Sequence, residues 1–378
     1  MLFAKSYYEH GSQDGDFTGD KDPNIQFEIF IYPQFRDDHD QVVCYPGSVV
    51  EGQIQINILV SMQVSQIKLA FKGAEKLNYA AMGWEKAKAT DDRLFSVRRI
   101  LWGSSSSSEV LEAGEYVFPF TCQMPLINFP PTFQNQFINI AYTLLVSLER
   151  PKQPIILSNP ISLQFQPIIE TMTTKNIEAL VQSTQLTKHI AAQASVPRLA
   201  YGIHHDSSIP VTVRFFLENH NMKSLSHLHV YIERCTQINY KTYSRDKMTT
   251  AVSQELLHVY PTTVVNLKLL DQELLPTLVF SNHLKITYRL IVTVKIKQGL
   301  IHIKKKLFDE PLMLGNLSPG ASAPSQLEAY TSVDDKLGAH SRPSFLKYEP
   351  FEGPDFLPTY NDYEELPPSY PNISRKST

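Results

Sequence analysis

Apolar and polar residues alternate through most of the middle of this chain with a period of two, the spacing of a strand that buries one face and wets the other. In VVEGQIQINILV, Val50, Ile54, Ile56, Ile58 and Val60 fall on one side, and Gln53, Gln55 and Asn57 on the other. INIAYTLLVSLE points Ile138, Ile140, Tyr142, Leu144, Val146 and Leu148 the same way, and VTVRFFL groups Val211, Val213, Phe215 and Leu217. KITYRLIVTVKIK sets Ile286, Tyr288, Leu290, Val292, Val294 and Ile296 against Lys285, Thr287, Arg289, Thr293, Lys295 and Lys297. Strands with one apolar face predict antiparallel sheets packed in pairs. Turn signals at Pro46-Gly47, at the serine run 104–108 and at Ala113-Gly114 punctuate them. Many strands at short spacing favour β-sandwiches over a parallel α/β sheet.

The pattern divides the chain. Residues 1–24 are polar, rich in Gly and Asp, and read as a flexible leader. Alternation predicts one all-β domain over 25–168 and a second over 198–314. Between them, 169–197 is expected to be a linker, part of it helical: Ile177, Leu180 and Val181 stand at helical spacing, with Thr174 placed as an N-cap. After Gly315 the alternation stops, and nine of the 25 prolines fall in the last 64 residues. Such a segment buries too little apolar surface to offset its ordering entropy, so 315–378 is expected to be a disordered, Pro-rich tail.

Composition narrows the classes. A chain of 378 residues that is 42% hydrophobic can fill two cores. A formal charge of −3 lacks the basic footprint that nucleic acid requires, so no nucleic-acid partner is expected. Cys44, Cys122 and Cys235 lie far apart and are odd in number, which argues for a reducing, cytoplasmic setting and small core residues rather than a disulfide framework. The opening MLFAKSYYEHGSQDGD has too short an apolar stretch for a signal peptide, and no run of 18 apolar residues occurs, so any membrane role is expected to be peripheral.

The tail carries the sharpest motif. Leu366-Pro367-Pro368-Ser369-Tyr370 contains P-P-x-Y, of which this composition yields roughly 0.08 by chance. Two prolines hold the backbone near polyproline II, and its three-residue turn projects Pro367 and Tyr370 along one edge. That edge fits the aromatic groove of a WW domain, with Tyr370 as the specificity element. Leu357-Pro358-Thr359-Tyr360 is a second, weaker form with one proline, useful to a partner carrying several WW modules. The Pro130-Pro131 pair in NFPPTF, followed at once by a strand, is read as structural instead.

Other chemistry is thin. His227 and His229 share a strand face, but no Cys or carboxylate stands at metal-ligand spacing, and His204-His205 sit in a turn-like stretch. There is no G-x-S-x-G and no Gly-rich phosphate loop, so neither an enzyme nor a cofactor is expected. Lys304, Lys305 and Lys306 are a candidate contact for anionic lipid or acidic cargo, weighed against an ordinary solvated strand end.

Taken in order, YPGSVVEGQIQINI, IKLAFKGAEK, ILWGS, LEAGEYVFPFTCQMP, NFPPTF and IAYTLLVSLERP resemble an arrestin N-domain. IPVTVRFFLENHN, LHVYIERCTQINY and LKITYRLIVTVKIK resemble the matching C-domain. With the terminal P-P-x-Y, the chain looks like an α-arrestin of the fungal arrestin-related trafficking adaptor kind. The resemblance implies two tandem arrestin-like, immunoglobulin-type sandwiches of seven or eight strands each. It implies an adaptor that binds the cytosolic tails of membrane transporters or receptors at the plasma membrane and endosomes. Pro367, Pro368 and Tyr370 would recruit a HECT-type ubiquitin ligase with WW domains, leading to cargo ubiquitination and endocytosis. It further implies ubiquitin on an N-domain lysine, among Lys68, Lys72, Lys76, Lys86 and Lys88. The charged cluster by which visual-type arrestins sense phosphate has no match here. The alternative is an arrestin-fold scaffold in endosomal sorting or ambient-pH signalling.

Overall fold

Each of the four alternating segments is a strand in a computed structural model, which describes residues 22–83, 93–104, 107–171, 179–218, 224–269, 274–298, 301–318, 320–330 and 341–346. In the first sandwich β1 (Ile25–Ile31), β2 (Val43–Cys44), β3 (Val49–Ile58) and β4 (Met62–Val64) lead to the long β5 (Gln66–Leu77) and β6 (Arg93–Gly103). β7 (Glu109–Leu111), β8 (Gly114–Gln123), β9 (Ile127–Asn128) and β10 (Phe133–Gln134) follow, then β11 (Ile138–Glu149), β12 (Ile156–Leu157) and β13 (Ile161–Phe165). The second sandwich begins with β14 (Leu180–Thr187), β15 (Ile190–Val196), β16 (Ala200–Gly202) and β17 (Ser208–Leu217). It continues through β18 (Leu225–Tyr240), β19 (Tyr243–Leu256), β20 (Thr262–Lys268), β21 (Leu284–Gln298) and β22 (Ile301–Gly315). β23 (Glu328–Ala329) and β24 (Ser344–Leu346) come last and return to the first sandwich. No α-helix occurs among the described residues.

The two sandwiches repeat one strand order. The larger sheet of the first runs β2-β13-β11-β5-β6, and that of the second β16-β22-β21-β18-β19. In each, a short strand lies parallel to the last long one, β2 beside β13 and β16 beside β22, while the other neighbours in these sheets are antiparallel. The facing sheets run β1-β3-β8-β24 and β14-β15-β17-β20.

The cores are the inward faces that alternation assigns. Ile138, Ile140, Tyr142, Leu144, Val146 and Leu148 of β11 are at most 1% exposed, as are the six inward residues of β21 from Ile286 to Ile296. Val60 departs from the pattern: β3 ends at Ile58, and Val60 is 57% exposed beyond it. Rings dominate the first core. Phe95 meets Phe71 at 5.0 Å, Phe129 at 5.2 Å and Tyr142 at 5.9 Å between centroids, and Tyr142 meets Phe165 at 5.0 Å. Gly73 leaves room for this, since a Cβ there would stand 2.7 Å from Phe95 Cε1 and 3.0 Å from Tyr142 Cε1. The Tyr142 hydroxyl donates to the carbonyl of Pro130 at 2.6 Å, tying the buried Pro-Pro approach to the centre of the core.

Two expectations are corrected here. The helical linker over 169–197 holds an antiparallel hairpin instead, β14 paired with β15 from Leu180↔Val196 to Thr187↔Ile190. Ala192, Ala194 and Val196 point inward, at most 1% exposed, so the period is two; alanine, a helix former by propensity, hid it. Thr174 and Ile177 lie outside the described residues. The disordered tail from 315 is corrected for its described parts. Asn316 bonds through its backbone and side chain to Ile169 and Pro167, and Ala323 N–H donates to Glu170 Oε1 at 2.6 Å. β23 pairs in parallel with β9, the Tyr330 ring lies 5.4 Å from Phe129, and β24 pairs antiparallel with β8. Backbone pairing and single ring contacts hold these pieces, and neither leaves a periodic trace.

The cysteines are free. Burial pushes the Cys122 thiol up to about 12, and burial, with Cys122 beside it, pushes Cys44 higher still. A thiol whose folded pKa exceeds its unfolded value stabilises the fold fully below the unfolded pKa, and that contribution is lost as pH rises above it. Stability should therefore fall from about pH 9 upward, by about 1.4 kcal/mol per pH unit per thiol. Urea titrations between pH 8 and pH 10 should show a shallower decline in Cys122→Ala; an unchanged slope would count against the assignment.

Candidate functional site

The two sandwiches meet along a seam built mainly from β5, the loop between β10 and β11, and the turn of the β18–β19 hairpin. Alternation on β5 turns Ile67, Leu69, Phe71, Gly73 and Glu75 toward the core, which brings a carboxylate to its end, fully buried. Glu75 Oε1 accepts the Ser281 hydroxyl at 2.5 Å and the His283 backbone N–H at 3.2 Å, both from the second sandwich. Four residues along the chain, Tyr79 packs edge-on against Tyr240 at 5.1 Å. Arg245 sets its guanidinium 4.4 Å over the Phe137 ring and donates to the Ala81 carbonyl at 3.4 Å. Asn135 fixes the Phe137 loop by accepting the backbone N–H groups of Phe137 and Ile138 at 2.8 and 2.9 Å.

The lysine run lies on β22, all three residues exposed. Lys304 Nζ stands 5.5 Å over the Tyr231 ring, and Lys306 is ion-paired with Asp309, which Arg289 also holds at 2.6 Å. Burial raises the Asp309 pKa, but the hydrogen bonds and charges of Arg289 and Lys306 outweigh it and hold the carboxyl below its ordinary value. Lys306 is thereby committed to its own surface, which leaves Lys304 and Lys305 as the outward part of the run. His227 Nδ1 faces Glu255 at 3.1 Å, and His229 stacks on Tyr231 at 4.6 Å. Among the described residues no group of three His, Cys, Asp or Glu is placed to hold a metal ion. Of the lysines implied as ubiquitin acceptors, Lys72 is buried, Lys68 is paired with Glu149 at 2.6 Å, and Lys76 is exposed. Lys86 and Lys88 lie outside the described residues. So do Leu357, Pro358, Tyr360, Leu366, Pro367, Pro368 and Tyr370.

Sequence reasoning missed the seam. Its signal was a charge at an inward strand position, the Glu75 of IKLAFKGAEKL. Among the described residues no helix is long and apolar enough to cross a membrane.

Comparison with known proteins agrees with this architecture. No curated protein matches the chain significantly. Residues 34–162 match the family model described as Arrestin (or S-antigen), N-terminal domain, a stretch that runs through the first sandwich into β13. The match makes residues 34–162 similar to an arrestin N-terminal domain, and the second sandwich behind it repeats the strand order of the first.

Proposed function

We propose that this chain is an adaptor of the α-arrestin type. Its sandwiches bind the cytosolic part of an integral membrane protein, and its C-terminal motif brings a WW-domain HECT-type ubiquitin ligase to that cargo. The cargo is ubiquitinated and internalised, and the adaptor works at the plasma membrane and endosomes without catalysis of its own. The observation that carries the reading is a P-P-x-Y sequence, Leu366 to Tyr370, in the same chain as an arrestin N-terminal domain match. Arrestin sandwiches supply no ligase chemistry, so a short ligand for a WW groove gives the chain its second partner. Leu357, Pro358 and Tyr360 add a weaker second contact that raises the effective concentration of the first. Lys76, exposed where Lys72 is buried, is the best placed of the described lysines to receive ubiquitin itself.

A capture experiment tests this directly. The full chain, immobilised, should retain the WW-domain fragment of a HECT ligase, and Tyr370→Ala should weaken capture by about 30-fold, the loss of one anchoring aromatic worth about 2 kcal/mol. Tyr360→Ala should cost only a few-fold. Equal capture by the Tyr370→Ala chain would end the adaptor reading.

A further inference from the structure

Beside the seam, a cleft of about 450 Å³ opens between the β10–β11 loop on one wall and the β18–β19 hairpin on the other. Its cationic side follows from strand register. Arg234 pairs with Thr249, Thr236 with Lys247 and Ile238 with Arg245, so residues two apart on each strand share the face that lines it. Arg234, Arg245 and Lys247 all line the cleft, and among the described residues no carboxylate does. None of the three is ion-paired among the described residues. Asp246, between Arg245 and Lys247, belongs to the opposite strand face, where it pairs with Gln237 in register and accepts from Ser244 at 3.3 Å.

Beside the polar Thr132, Gln134 and Asn135, the cleft has an apolar part that is held in place. Phe133 and Leu275 are half-buried there, and Leu275 gives its carbonyl to the Tyr288 hydroxyl at 2.7 Å. Arg234 is steadied by Thr249 Oγ1 at 3.4 Å, and its charge opposes the burial that raises Tyr288. Three cations of one sign in a walled cleft focus field and favour a multivalent anion. On a chain whose formal charge is −3, that concentration is local and not a consequence of a basic surface. The volume holds roughly fifteen waters, within the size range of small-molecule sites.

We infer that this cleft binds a small phosphorylated ligand of the nucleotide class, its phosphates on Arg234, Arg245 and Lys247 and its planar part against Phe133 and Leu275. The inference stands apart from the ligase reading and needs none of the tail.

Calorimetric titration of the full chain tests it, with ATP as the phosphate-plus-ring probe and inorganic tripolyphosphate as phosphate alone. ATP should bind one to one, and tripolyphosphate about tenfold more weakly. Lys247→Gln, an exposed position whose change leaves the fold intact, should weaken both probes about tenfold, whereas Phe133→Ala should weaken ATP alone. Lys305→Gln, a control on β22, should change neither. The absence of one-to-one binding by ATP at millimolar concentration would overturn the proposal. So would equal losses from Lys247→Gln and Lys305→Gln, which would mean diffuse attraction to charge. Equal affinity for the two probes would overturn the assignment of the apolar wall. Binding of a phosphoserine peptide with no binding of either probe would overturn it in favour of a macromolecular partner.

Discussion

Tyr142→Ala is expected to destabilise the protein by about 5 kcal/mol, the largest effect of any single change considered. The ring is wholly buried between Phe95 and Phe165, and truncating a core aromatic typically costs about 3–5 kcal/mol through lost transfer energy and the remaining cavity. The Pro130 carbonyl also loses its donor, which adds about 1 kcal/mol or more. Neighbours on β5 and β11 cannot close the gap, because both strands are paired on either side. Tyr142→Phe keeps the ring and removes only the hydroxyl, so about 1–2 kcal/mol is expected there. Urea denaturation of the two variants separates the contributions. A Tyr142→Ala cost below 2 kcal/mol would mean that the rings of the first core repack freely. Alkaline pH should also cost stability from about pH 10 upward, since burial first, with Cys44, Glu75 and Tyr330 adding to it, keeps the folded hydroxyl protonated where the unfolded one ionises.

The second large effect is expected at the seam. Glu75→Ala removes two acceptor contacts made to the other sandwich by a fully buried group, and leaving a buried donor without its acceptor costs about 1–3 kcal/mol. A loss of about 3 kcal/mol follows, because the Ser281 hydroxyl and His283 N–H keep their desolvation without that partner. The loss should be unevenly felt. Calorimetry of the parent chain is expected to give one transition, and Glu75→Ala should split it into two as each sandwich melts by itself. Glu75→Gln keeps an oxygen for Ser281 and should recover part of the coupling. A single sharp transition in Glu75→Ala would assign the coupling instead to Tyr79–Tyr240 and Arg245–Phe137.

What could be read from the chain was its periodicity. β3, β11, β17 and β21 stand where apolar residues recur at every second position, because burial of one face acts on each residue separately. β14 and β15 escaped because Ala191, Ala192 and Ala194 carry little hydrophobic contrast. The return of β23 and β24 escaped for another reason. Pairing between backbones is indifferent to side chains, and a three-residue strand such as Ser344–Leu346 is too short to show a period. Glu75 and the cleft cations were visible only as charges on strands, and their roles depend on which elements face them. Arg245 means little in SRDKM until Phe137 and Ala81 arrive from more than a hundred positions away.

The return of β24 has a consequence for the ribosome. Phe345 pairs with Cys122, 223 positions earlier, so the sheet of the first sandwich waits for nearly the whole chain before its last strand can be added. At about 5–20 residues per second, that wait is roughly 10–45 s. Throughout it the outer side of β8 is exposed to any other nascent chain. Two residues of β8 itself guard that interval: Pro119, with no N–H to offer a foreign strand, and Glu115, whose charge disfavours stacking.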